Sequence, residues 1–102
     1  MKSNIAQGQM FIHYNPDHMD NPKVWVKVDD TGEEPSVFID NKAMVRFAID
    51  KTYKSSIIER WLITDRYYGE MVQKGEFVPV DDLTQADRIC EELGWPAYCI
   101  EL

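Results

Sequence analysis

A short phrase occurs twice in this chain, and it constrains the fold more than any other feature. Its first copy runs Trp25-Val26-Lys27-Val28-Asp29-Asp30-Thr31-Gly32-Glu33. Its second runs Trp61-Leu62-Ile63-Thr64-Asp65-Arg66-Tyr67-Tyr68-Gly69-Glu70. Each copy precedes an apolar stretch ending in Asp, Val37-Phe38-Ile39-Asp40 or Phe77-Val78-Pro79-Val80-Asp81, and then a segment with helical potential. The order predicts a tandem strand-turn-strand-helix repeat, with Trp25 and Trp61 in equivalent places of one sheet.

Other elements fit around that frame. Gln9-Met10-Phe11-Ile12-His13-Tyr14 reads as a first strand stopped by Asn15-Pro16. The loop from Asn15 to Pro22 is bounded by two Asn-Pro pairs, which favour extended or turn backbone. Val24, Val26 and Val28 alternate with Trp25 and Lys27, as a strand requires. Residues 41–54 carry both a helical and an alternating pattern, and the repeat favours helix. Residues 56–72 also conflict: Ser56-x-x-Glu59 resembles a capping box, but the Gly69 turn flanked by β-prone residues favours a hairpin.

The last helix is the clearest. Asp82 and Gln85 form its cap, Leu83, Ala86, Cys90 and Leu93 its apolar face, and Gly94 and Pro96 its stop. Tyr98-Cys99-Ile100 reads as a closing strand. The expected fold class is α+β: an antiparallel sheet covered on one face by about two helices, in one domain spanning residues 1–102. At this length a chain buries about two-thirds of its unfolded surface, enough for a core without staples. Cys90 and Cys99 therefore read as small packed groups rather than a disulfide.

Charge bears on function. The chain carries a net −7 over 102 residues, distributed as +1 over residues 1–16, −5 over 17–40, +3 over 41–75 and −6 over 76–102. Such a surface repels phosphate backbones, which argues against direct nucleic acid binding. No apolar run approaches the roughly 20 residues of a membrane span, and no secretory leader is evident, so a cytoplasmic location is expected.

Chemistry-bearing patterns are sparse. His13, Asp17, His18 and Asp20 are residue types that bind zinc, but their spacing matches no established site, and the Asn-Pro turns account for the loop. Cys90 falls on an apolar helix face, the serines lack a nucleophile-elbow setting, and glycines do not cluster into a phosphate loop. The expectation is a protein without catalytic activity, cofactor or bound metal.

The acidic residues are the stronger lead. Asp87 and Glu91 lie four apart on the last helix, beside Glu92, with Asp81 and Asp82 at its start. Asp29, Asp30, Glu33 and Glu34 extend the array if both turns face the same side. Tyr67 and Tyr68, placed in the hairpin turn, are candidate interface anchors. In size and charge the chain resembles the small proteins that bacteriophages direct against host defence, anti-CRISPR proteins among them. The expected function is a protein-binding inhibitor or accessory factor that occupies a basic, nucleic-acid-binding surface of a partner. One alternative is a cellular accessory or assembly protein whose acids only confer solubility. Another is a small metal-dependent enzyme using His13 and His18.

Overall fold

The computed structural model describes residues 2–28, 31–40 and 60–96. Five strands, β1 (Met10–His13), β2 (Lys23–Lys27), β3 (Ser36–Asp40), β4 (Arg60–Ile63) and β5 (Phe77–Val80), form one sheet in the order β4-β3-β2-β1-β5. Every neighbouring pair is antiparallel. Two helices complete the described elements, α1 (Asp65–Gln73) and α2 (Leu83–Leu93). The expected α+β class with an antiparallel sheet is the observed one.

Strand alternation sorts the side chains. The register pairs Phe11 with Trp25 and Pro79, and Phe38 with Trp61, so these residues share one face. Ile12, Val24 and Val78 share the other. On the first face Phe11, Trp25, Phe38, Ile63, Phe77 and the α1 residue Met71 form a buried cluster joined by Tyr68 and Val72. On the second, Ile12, Val24 and Val80 pack against Ala86 and Cys90 of α2, with Ile89 and Trp95 alongside. The two helices thus cover opposite faces, not one. Both faces of the central strands are apolar, and each needs its own cover.

The tandem repeat does not hold. β2 and β3 are hairpin neighbours, whereas β4 and β5 form opposite ends of the strand order, joined through α1. The stretch read as a hairpin turn is this helix. Thr64 caps it, its side chain accepting from the Tyr67 amide at 3.2 Å, and Asp65 supplies an acid in the first turn. Tyr68, Met71 and Val72 then fall on one face at helical spacing. Gly75, at φ +78°, ends the helix, with its amide bonded to Val72 and that of Glu76 to Met71, a Schellman motif. Gly69 sits inside the helix, not at a turn.

α2 follows the sequence reading more closely. The Asp82 carboxylate accepts from the Gln85 amide at 2.8 Å, and Gln85 in turn accepts from the Asp81 amide at 2.5 Å. Gly94, at φ +70°, closes the other end. Leu93 departs from the expected apolar face and is 52% exposed. The helix turns it away, and Trp95 takes the place beside the cluster.

The N-terminal residues strap the first face. The Asp65 carboxylate accepts from the Ser3 hydroxyl at 2.7 Å and the Asn4 amide at 2.6 Å. Lys27, 2% exposed, donates its ammonium to the Ile5 carbonyl at 2.6 Å. The readings of residues 41–54 and 98–100, and the Cys99 half of the cysteine pair, lie outside the described residues.

Candidate functional site: an acidic helix face and an aromatic cleft

Two regions concentrate polar chemistry. The first is the outer side of α2. Ala86 and Cys90 are sealed against the sheet, so Asp87, Arg88, Glu91 and Glu92 are turned into solvent and exposed. None of Asp87, Glu91 and Glu92 forms an ion pair with a described residue. Asp87 and Glu91 are helical neighbours, about 5–6 Å apart at Cβ, so their repulsion is a standing local cost. Asp81 and Asp82, also exposed, extend the acids to the start of the helix, although the Asp82 carboxylate is engaged as the cap.

The structure divides the other expected partner-binding residues. Glu33 and Glu34 lie on the β2–β3 connection, at the same end of the sheet as Asp81 and Asp82, because Lys27, Ser36 and Val80 all end at that edge. Glu33 is exposed. Glu34 instead serves the fold, its carboxylate accepting from the Asp65 amide at 2.6 Å at the start of α1. Asp29 and Asp30 fall outside the described residues.

Tyr67 and Tyr68 lie on α1, across the sheet from α2, and so cannot share a flat surface with its acids. Tyr68 is half-buried and packs against the core, its ring 5.7 Å from Phe11 and stacked at 6.3 Å over Phe38. Burial pushes its phenol pKa up. Tyr67 is 38% exposed and leans on Trp61 and Phe77 at 6.1 and 5.9 Å. Tyr67 is the more exposed of the two.

The second region is a cleft of about 560 Å³ at the opposite end of the sheet. The loop before β2 forms one side, with His18, Asp20 and Asn21, and Pro22 buried beneath. A turn holds this loop in place: Asn15 accepts through its side chain from the Asp17 amide, and through its carbonyl from His18 and Met19. The sheet supplies His13, Lys23 and Trp25, and β4 contributes Arg60 and Trp61. The rings interlock, His13 lying 5.0 Å and Trp25 5.2 Å from Trp61. The Trp25 indole N–H is buried without a hydrogen-bond partner among the described residues.

Burial holds the His13 imidazole below its ordinary pKa, with Glu76 opposing that shift and Lys23 reinforcing it. His13, His18 and Asp20 share this cleft, yet among the described residues no three His, Cys, Asp or Glu side chains gather as metal ligands. Sequence reasoning singled out the two histidines but missed Trp25, Trp61, Lys23 and Arg60 as their neighbours. The alternation that aims His13 and Trp25 to one face was legible, but the strand order that brings β4 beside them was not.

Comparison with protein-family models, with curated proteins and with solved structures returns no match. Among the described residues, no helix is long and apolar enough to cross a membrane.

Proposed function

We propose that this protein is a protein-binding inhibitor or accessory factor that docks its acidic helix face on a basic surface of a partner. The observation that carries this reading is the outer side of α2, where Asp87, Glu91 and Glu92 are exposed while the inner side is sealed by Ala86 and Cys90. A helix capped at both ends fixes the backbone that carries these carboxylates, so binding has to order side chains but not the chain itself. A row of fixed negative charge suits a groove built for nucleic acid and speeds encounter with it. The same charge disfavours nucleic acid itself. A role in blocking host defence, as phage-encoded inhibitors of this size and charge perform, is the most specific form of the reading, and it places the protein in the cytoplasm and outside catalysis.

The test is an affinity pull-down from a cell lysate at low and high salt, with mass spectrometry. Capture of a nucleic-acid-binding complex, released by salt, is the expected result. If no such protein is retained even at low salt, the acids serve solubility alone, as in a cellular assembly factor.

The shared cleft of His13 and His18 favours a second reading, a small metal-dependent enzyme. About one zinc per chain after dialysis, lost in His18→Ala, would establish the metal site that this reading requires, and zinc-dependent turnover of a substrate would establish the enzyme.

A further inference from the structure

From the cleft at the His13 end of the sheet we infer a binding site for a small planar anion, a ring compound carrying a carboxylate or a phosphate. The volume, about 560 Å³, falls in the range of small-molecule sites. The character of its wall is opposite to that of the rest of the chain. Overall the protein carries a net −7, yet the described lining of the cleft sets two cations, Lys23 and Arg60, and two imidazoles beside one carboxylate, Asp20, with Glu76 acting on His13 from nearby. An anion there meets cations at close range and is held away from the acids of α2, which lie on the other face.

The aromatic side of the site sets the shape of the ligand. Trp61 is half-buried, its ring boxed by His13, Trp25, Tyr67 and Phe77, so its orientation is fixed before any ligand arrives. A flat ring fits against the remaining open part of the indole, in the geometry aromatic pairs prefer. His18 and Arg60, both exposed at the margin, then face the charged substituent. Behind this wall the buried Trp25 indole N–H has no partner among the described residues, a donor that an ordered water would satisfy. His13 is held toward its neutral form, and a neighbouring anion would favour its proton.

This site is independent of the docking role proposed for α2. It is tested by titrating the whole ¹⁵N-labelled protein with two probes, adenosine monophosphate and indole-3-carboxylate, and following the three indole N–H resonances. Adenosine and indole-3-carboxamide serve as neutral counterparts. The expected result is saturable movement of the Trp25 and Trp61 signals with at least one anion, while Trp95, on the opposite face, stays still. Which anion binds separates phosphate from carboxylate as the charged group. The neutral counterparts, and the doubly substituted Arg60→Ala/His18→Ala protein, should bind at least about tenfold more weakly. Both substituted residues are exposed, and an unchanged Trp95 signal reports that the variant is folded. Absence of movement with both anions, equal binding of the neutral compounds, or full affinity in the double variant would each overturn the assignment.

Discussion

The indoles of Trp25 and Trp61 meet edge to face, with ring centroids 5.2 Å apart, although their strands are separated by β3. The register explains the contact. Trp25 pairs with Asp40 and Trp61 with Phe38, so both rings project from the same face, and large side chains bridge the intervening strand. Trp61 also lies within 5.2 Å of Phe77, which belongs to the far edge of the sheet. One ring thus ties the β4 side of the core to the β5 side. Trp61→Ala should destabilise the protein by about 3 kcal/mol, near the lower end for large aromatic truncations because the residue is half-buried. Trp61→Phe should cost less than half as much, and urea unfolding of both variants checks the difference.

Gly69 and Gly75 predict opposite responses to the same substitution. Gly69 lies inside α1, with nothing near enough to clash with an added Cβ, so Gly69→Ala should stabilise by about 0.5–1 kcal/mol. Gly75 has φ +78°, and Gly75→Ala should destabilise by about 1 kcal/mol. Thermal unfolding gives both signs. A hairpin at Gly69 would reverse the first.

The mistaken turn shows where sequence patterns lose force. Thr64 followed by Asp65, with Gly75 eleven positions later, brackets a helix, and Tyr68, Met71 and Val72 supply its inner face. Gly69 and the β-prone Tyr67-Tyr68 pair argued locally for a turn, but the apolar cluster of Phe11, Phe38 and Phe77 needed a cover, and burial of the α1 side chains overrode propensity. α2 was legible because its signals agreed: Asp82, the Ala86/Cys90 face and Gly94 all mark one helix. Which carboxylates serve the fold was not legible. Glu34 and Asp65 bind backbone amides distant in sequence, contacts that no local pattern encodes.

The strap held by Asp65 gives a third prediction. Asp65→Ala leaves the Asn4 amide without its acceptor, leaves the Ser3 hydroxyl with the Ser36 hydroxyl in place of the carboxylate, and removes an acid from the first turn of α1. A loss of about 1–3 kcal/mol is expected, with faster hydrogen exchange at Asn4 and Ile5 than at the strand amides. Retained protection at both amides would show that the strap is held elsewhere.

His13 makes stability depend on pH. Its folded pKa lies below the ordinary 6.5 because burial disfavours the charged ring, and Glu76 offsets only part of this. The unfolded chain therefore binds a proton first as pH falls. The contribution of His13 is complete above about pH 6.5 and is lost as pH drops toward the folded pKa, with no further loss below it. Urea midpoints at about pH 7.5 and 5.5 should fall further for the natural protein than for His13→Gln, and equal falls would assign the dependence to other groups.

The central claim, that the outer face of α2 engages a basic partner, is tested most directly by reversing two of its charges. Asp87→Lys combined with Glu91→Lys leaves the buried Ala86 and Cys90 intact, so the fold should persist. Affinity for the captured partner should be measured across a salt series for both proteins. The predicted result is binding at least about tenfold weaker, about 1.4 kcal/mol, with a shallower dependence on salt. Unchanged affinity and an unchanged salt slope in the folded double variant would contradict the claim.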